Sequence, residues 1–183
     1  MSGIIGRKGS NSGLISDNVG IGDLWHMTAT TIGSSTLTGD KWQLATGTGK
    51  AHGPPVNKSL GMTIGTSGND DGVFVFPRTG TYHVLAVINI YQTGNVHSRY
   101  NHLNFSVGSD TSSGTQIGQF SQFTGNDANT HSVITGQAFL YIDDTTAKRF
   151  WMSTNFEETT SVRTWLESNQ NHGSVFFMKC GDI

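Results

Sequence analysis

From Asp23 to the C-terminus, apolar residues return at every second position in short runs, and clusters of Gly, Ser, Asn and Asp separate the runs. A period of two is the signature of β-strands, whose successive side chains point to opposite faces of a sheet. Strands are predicted over residues 24–32, 42–45, 60–64, 73–76, 81–91, 99–107, 115–123, 131–142, 149–155 and 174–180. Turn sequences such as Gly108-Ser109-Asp110 and Gly125-Asn126-Asp127 punctuate them. Many short strands at regular spacing point to an all-β, antiparallel sandwich or barrel. Residues 156–170 show a loose helical spacing at Val162, Trp165 and Leu166. Their Thr-rich centre is a poor helix former, so the segment reads as a long loop.

Two strands carry more apolar residues than one buried face requires. In 81–91, Tyr82, Val84, Ala86, Ile88 and Ile90 share one face, and His83, Leu85, Val87, Asn89 and Tyr91 share the other. Near the C-terminus, Val175 and Phe177 oppose Phe176 and Met178 in the same way. An antiparallel strand usually turns its second face to water. Either the chain itself covers both faces or a partner subunit covers the second, and with no convincing helix to cover a sheet the partner is favoured. The residues expected at that interface are Leu85, Val87, Tyr91, Val175 and Phe177.

Residues 1–22 are different. Gly or Ser stands at nearly every second or third position, and Ser2-Gly3-Ile4-Ile5 recurs as Ser12-Gly13-Leu14-Ile15. Such a segment cannot build a core. It is either a disordered leader or an extended arm, and its aliphatic pairs favour the arm because plain linkers rarely carry them. In an arm, Ile4, Ile5, Leu14 and Ile15 would anchor in pockets of a partner, with Arg7 and Lys8 facing acidic groups.

Composition removes several function classes. Of the 183 residues only 13% are charged, against about 25% in an ordinary globular chain. The net charge is −2, which gives no electrostatic footprint for nucleic acid or an anionic membrane. No apolar run approaches the roughly 20 residues of a membrane-spanning helix. Met1–Arg7 lacks the apolar stretch of a signal peptide, and Ser2 stands where myristoylation needs Gly, so synthesis in a cytoplasm is expected. Cys180 is alone, which excludes an intrachain disulfide. On its apolar strand it is expected to be a buried, inert thiol.

The candidate chemistry is thin. Residues 45–51 evoke a phosphate-binding loop, but Leu44 stands where the first Gly belongs and Ala51 where Ser or Thr should follow Lys50. His97 and His102 flank a strand start without metal-ligand spacing, and Asp70-Asp71 and Asp143-Asp144 lie in turns, where a loop cation is the alternative to ordinary turn bonding. Glycoside hydrolysis needs a carboxylate pair in a cleft. The only glutamates, Glu157, Glu158 and Glu167, fall in one loop region. No cofactor is expected.

The stretch Phe74-Val75-Phe76-Pro77-Arg78-Thr79-Gly80-Thr81-Tyr82 resembles the strand–turn–strand of the C1q/tumour-necrosis-factor-like jelly roll, with Phe74, Gly80 and Tyr82 in register. Residues 136–142, 148–153 and 173–178 look like that family's last three strands, so the resemblance covers about residues 60 to 183. It departs from the animal pattern at Val84, where an aromatic is usual. The resemblance implies a jelly-roll sandwich over 23–183 and a homotrimer. The Gly-rich arm is similar to those of tailed-phage structural proteins. That likeness implies a non-enzymatic virion protein, a capsid decoration or tail-associated fibre, located on the virion and docked on major capsid or tail proteins through residues 1–22. The alternative is a module that binds a host surface glycan or receptor through Trp25, Trp42, Trp151 or Trp165.

Overall fold

The computed structural model describes residues 22–45, 59–125, 127–164 and 173–183. The alternation resolves into two antiparallel sheets packed face to face. The first sheet runs β3 (Trp42–Leu44), β1 (Gly22–Met27), β12 (Gly173–Gly181), β6 (Gly80–Gln92) and β9 (Thr130–Ile142), with β11 (Val162–Thr164) on β6 beyond the end of β12. The second runs β4 (Thr63–Ile64), β5 (Phe74–Val75), β10 (Arg149–Phe156), β7 (Ser98–Gly108) and β8 (Thr115–Thr124), with β2 (Ser35–Thr36) on β10. This is the jelly-roll sandwich expected from the sequence. The described residues contain two 3-10 turns, Gly39–Lys41 and Gly68–Asp70, and no α-helix. Gly22, counted with the arm above, is the first residue of β1.

Several boundaries move. Residues 24–32 do not form one strand. β1 stops at Met27, after which Thr28 N–H donates to the Lys41 carbonyl and the chain turns toward β11, where Ile32 bridges Arg163. The predicted strands 60–64 and 73–76 shrink to two residues each because Gly61 and Gly72 adopt φ of +82°, which ends an extended run. The predicted loop at 156–170 hides β11. Val162 and Thr164 are buried there, and Thr164 Oγ1 accepts the Thr31 N–H at 2.6 Å. Residues 165–170 lie outside the described residues.

Between the layers the core is aromatic. Phe74 lies within 4.9–6.4 Å of the rings of Trp25, Trp42, Phe150 and Phe177. Phe105 joins the β8 side through Phe120 at 4.8 Å. Such pairs contribute about 0.5–1.5 kcal/mol each beyond their buried area.

The Phe74–Tyr82 motif has a physical basis. Tyr82 is fully buried, and its hydroxyl donates to the Arg78 carbonyl at 2.7 Å, fixing the turn that launches β6. Burial raises its pKa above the ordinary tyrosine value. Gly80 sits at φ +148°, and a Cβ there would lie 2.4 Å from Lys179 Cε and 2.6 Å from the Gly181 carbonyl oxygen. At the other end of β6, the buried Gln92 amide donates to the carbonyls of Gly94 and Gly125 and accepts from the Thr124 hydroxyl. One side chain thereby ties the β6–β7 and β8–β9 connections together.

Asp23 is a buried carboxylate with structural work. It accepts hydrogen bonds from the Leu60 N–H at 2.9 Å, the Met62 N–H at 2.8 Å and the Ser59 hydroxyl at 2.6 Å. It therefore pins the segment leading into β4 against β1. Asp23→Ala strands two buried N–H groups, each costing about 1–3 kcal/mol, so thermal unfolding should show a loss of about 3 kcal/mol. The faces of β12 give a second test. Val175→Asp buries a charge among the core rings and should prevent folding or cost several kcal/mol. Phe176→Asp, on the opposite face, should leave the β-sheet circular dichroism and cooperative melt of the chain intact.

Candidate functional site: the outer face of the first sheet

Directly paired residues in an antiparallel sheet share a face, so register decides what each side of the first sheet displays. Val84 pairs with Phe177 and Ala86 with Val175. All four are fully buried between the layers. Leu85 pairs with Phe176, Val87 with Ser174 and His83 with Met178, and these point outward. On β1, Leu24 pairs with Phe176 and lies outward too. On β9, Phe139, Gln137, Thr135, Val133 and His131 pair with His83, Leu85, Val87, Asn89 and Tyr91.

The five residues expected at an interface fall on two different faces of the sheet. Leu85, Val87 and Tyr91 lie on the outer face, each partly exposed. Val175 and Phe177 do not: their pairing with Ala86 and Val84 turns them into the core. Phe176 and Met178 are the β12 residues on the outer face. Both parities of 174–178 are apolar, and only the register against β6 distinguishes them. Sequence reasoning also missed the rim formed by β8 and β9. Phe139 is 72% exposed, Phe123 63% and Tyr141 58%, with Val133 and Ile117 also exposed. The signal was present as apolar residues at the outward parity of 131–142. The arm residues Ile4, Ile5, Arg7, Lys8, Leu14 and Ile15 lie outside the described residues, as do residues 46–51 of the phosphate-loop lookalike.

The chemical candidates disperse. Cys180 is exposed, continuing the outward parity of Phe176 and Met178 on β12, and the expectation of a buried thiol fails. Trp25, Trp42 and Trp151 are buried and offer no sugar platform. Trp165 and Glu167 lie outside the described residues. Arg99 binds Glu157, and those hydrogen bonds hold the Glu157 carboxyl below its ordinary range. His102 stacks on Tyr100 at 4.8 Å with its Nδ1 2.6 Å from Ser121 Oγ.

The turn carboxylates are engaged locally. Asp70 pairs with Arg149 at 3.0 Å, and Asp71 accepts the Gly39 N–H at 2.6 Å. Asp143 pairs with Lys148 at 2.7 Å, and that bond lowers its pKa. Asp144 accepts from the hydroxyl and N–H of Thr146 and from the Ala147 N–H, which lowers its pKa as well. Among the described residues no group of three or more His, Cys, Asp or Glu side chains is placed to hold a metal ion. No described helix is long and apolar enough to cross a membrane. Among the described residues, the outer face of the first sheet is apolar at its centre and carries exposed aromatic side chains on β9.

No family model matches the chain, and no curated protein matches it. Solved structures do. Eiger TNF from S. frugiperda superposes with a TM-score of 0.59 at 14% identity, covering 89% of this chain and 94% of that one. Murine APRIL at pH 5.0 superposes with a TM-score of 0.58 at 8% identity, covering 87% and 98%. At such identities the likeness establishes the fold alone: the chain is a jelly roll of the tumour-necrosis-factor type.

Proposed function

We propose that the chain is a non-catalytic structural module that assembles as a homotrimer through the outer face of its first sheet. The observation that carries this reading is the placement of Leu24, Leu85, Val87, Phe176 and Met178 side by side on that face. Apolar area of this kind contributes about 25 cal/mol per Å² once covered. The strands of that face differ, with Leu85, Val87, Phe176 and Met178 at its centre and the exposed Phe139, Tyr141 and Val133 of β9 at its edge. A contact between the centre on one copy and the edge on another is heterologous, and it closes into a ring when the rotation permits. The fold's likeness to TNF-type structures is compatible with that arrangement.

The finer reading assigns the trimer to a virion. Residues 1–22 act as the arm that docks it on major capsid or tail proteins, and the jelly roll projects outward. This placement rests on the sequence of the arm. Glycan binding is the alternative, and with Trp25, Trp42 and Trp151 buried its exposed aromatic candidates on the second sheet are Tyr100 and Phe123. Glycan-array binding lost on Tyr100→Ala would favour it.

Sedimentation at micromolar concentration should show a trimer, and a stable monomer would refute the assembly. Leu85→Asp should yield a folded monomer, because burying an unpaired charge costs several kcal/mol per copy. Removing residues 1–21 should leave the trimer intact and abolish its incorporation into particles. Normal occupancy of the truncated protein would move docking to the jelly roll.

A further inference from the structure

One lysine of the first sheet lies between the layers. Lys179 pairs with Tyr82 across β12 and β6, and Tyr82 is fully buried, so Lys179 continues the inward row of Val175 and Phe177. Its side chain is 2% exposed, against 21% for Lys41 and 39% for Lys148. An ammonium in such a place is costly unless it is paired. Its partner among the described residues is Asp182, just beyond the end of β12. The Asp182 side chain is 68% exposed, so the ion pair runs from the interior to the surface. Lys179 holds the Asp182 carboxyl below its ordinary range, and Arg78 adds to the effect.

The backbone is shaped to admit this pair. A Cβ at Gly80 would lie 2.4 Å from Lys179 Cε and 3.3 Å from its Nζ, so the missing side chain leaves the slot in which the lysine stem lies. Residues three apart on a regular strand point to opposite faces. The pairing shifts register between Lys179, opposite Tyr82, and Gly181, opposite Thr81. That departure from regular extension is what lets Asp182 reach back to Lys179. The other inward carboxylate of this sheet, Asp23, is committed to the Leu60 and Met62 N–H groups and the Ser59 hydroxyl.

We propose that residues 181–183 form a strap that shuts the Tyr82 end of the sandwich, with Asp182 as the counterion that keeps Lys179 inside. Opening is local. When Asp182 carries no charge, the Lys179 ammonium leaves its slot for water and the strap comes away, while the two sheets stay paired. A buried ammonium without a partner is unfavourable, and the long flexible lysine stem carries its head to the nearest water. The exit is short, because the carboxylate it holds already stands at the surface. The other ties at this end do not involve the lysine: the Tyr82 hydroxyl still donates to the Arg78 carbonyl, and β6 still pairs with β9 from Gly80 onward. The slot lies between the layers, so the strap is independent of what covers the outer face.

The test is acylation of the full chain by an amine-reactive ester at pH 7.5, followed lysine by lysine by peptide mass spectrometry, with circular dichroism alongside. In the unaltered chain Lys179 should react at least about tenfold more slowly than Lys148, as its burial and pairing require. In Asp182→Asn it should react as fast as Lys148, with Lys41, Lys148 and the sheet signal unchanged. Methionine fills the slot without a charge, so in a Lys179→Met background the further change Asp182→Asn should leave the melting temperature unaltered. Lys179 reacting as fast as Lys148 in the unaltered chain would overturn the inference, as would an unchanged Lys179 rate in Asp182→Asn. Loss of the sheet signal in that variant would show that opening is not local, and a lower melting temperature in the Lys179→Met background would show that Asp182 acts through another group. Either result would also overturn it.

Discussion

The alternation along β6 is the constraint on which the rest of the molecule depends. This strand pairs along its length with β9 and, on its other edge, with β12 and then β11. Its inward residues Tyr82, Val84, Ala86, Ile88 and Ile90 are fully buried. A slip of one residue would send His83 and Asn89 into the core and expose the whole inward set. Each large apolar side chain lost in this way costs about 1.5–3 kcal/mol, so the inward parity wins by a wide margin. Its two ends are fixed by polar devices: the Tyr82 hydroxyl on the Arg78 carbonyl, and the Gln92 amide on the carbonyls of the flanking loops.

That constraint divides the two sheets by purpose. On the second sheet, outward amides and hydroxyls bond one another beside the exposed Tyr100, Ile117 and Phe123, as in the Gln119 Nε2 donation to Asn104 Oδ1 at 3.2 Å and the His102–Ser121 pair. This is the ordinary wet face of an antiparallel sheet. The first sheet has no such face. Leu85, Val87, Phe176 and Met178 stand where polar residues would, and only partly shield one another. Their full hydrophobic contribution is available only when another surface covers them.

Much of this was legible in the sequence, and the illegible parts share a cause. Strand positions in 81–91, 131–142 and 149–155 follow from alternation over many residues, and the Phe74–Gly80–Tyr82 spacing marked the turn that only a glycine at φ +148° can make. The short strands β2 and β11 were not legible, because two or three residues carry no period. What places them is tertiary: Thr154 Oγ1 donating to the Gly33 carbonyl at 2.8 Å, and Thr164 bonding the backbone of Thr31. The outward placement expected for Val175 and Phe177 failed for a related reason. Alternation shows that β12 has two apolar faces, but which one meets Leu85 depends on a pairing distant in sequence. The exposure of Cys180 has the same origin, since it shares the outward parity of Phe176 and Met178.

The same division accounts for the low charge content. A chain of 183 residues with 13% charged side chains is short of the ions that keep an ordinary monomer's surface soluble. The described charges are concentrated in turns and at strand ends. Asp143 with Lys148 and Asp70 with Arg149 are paired there, and Asp144 accepts three local hydrogen bonds. Turn carboxylates committed to backbone geometry are poor candidates for acid–base chemistry, which needs a group free to take and release a proton. Charges kept off the broad outer face of the first sheet leave that face inexpensive to desolvate. On the trimeric reading, the scarcity of charge and the absence of a catalytic constellation among the described residues have one origin. The outer face of the first sheet is then the surface that meets another copy.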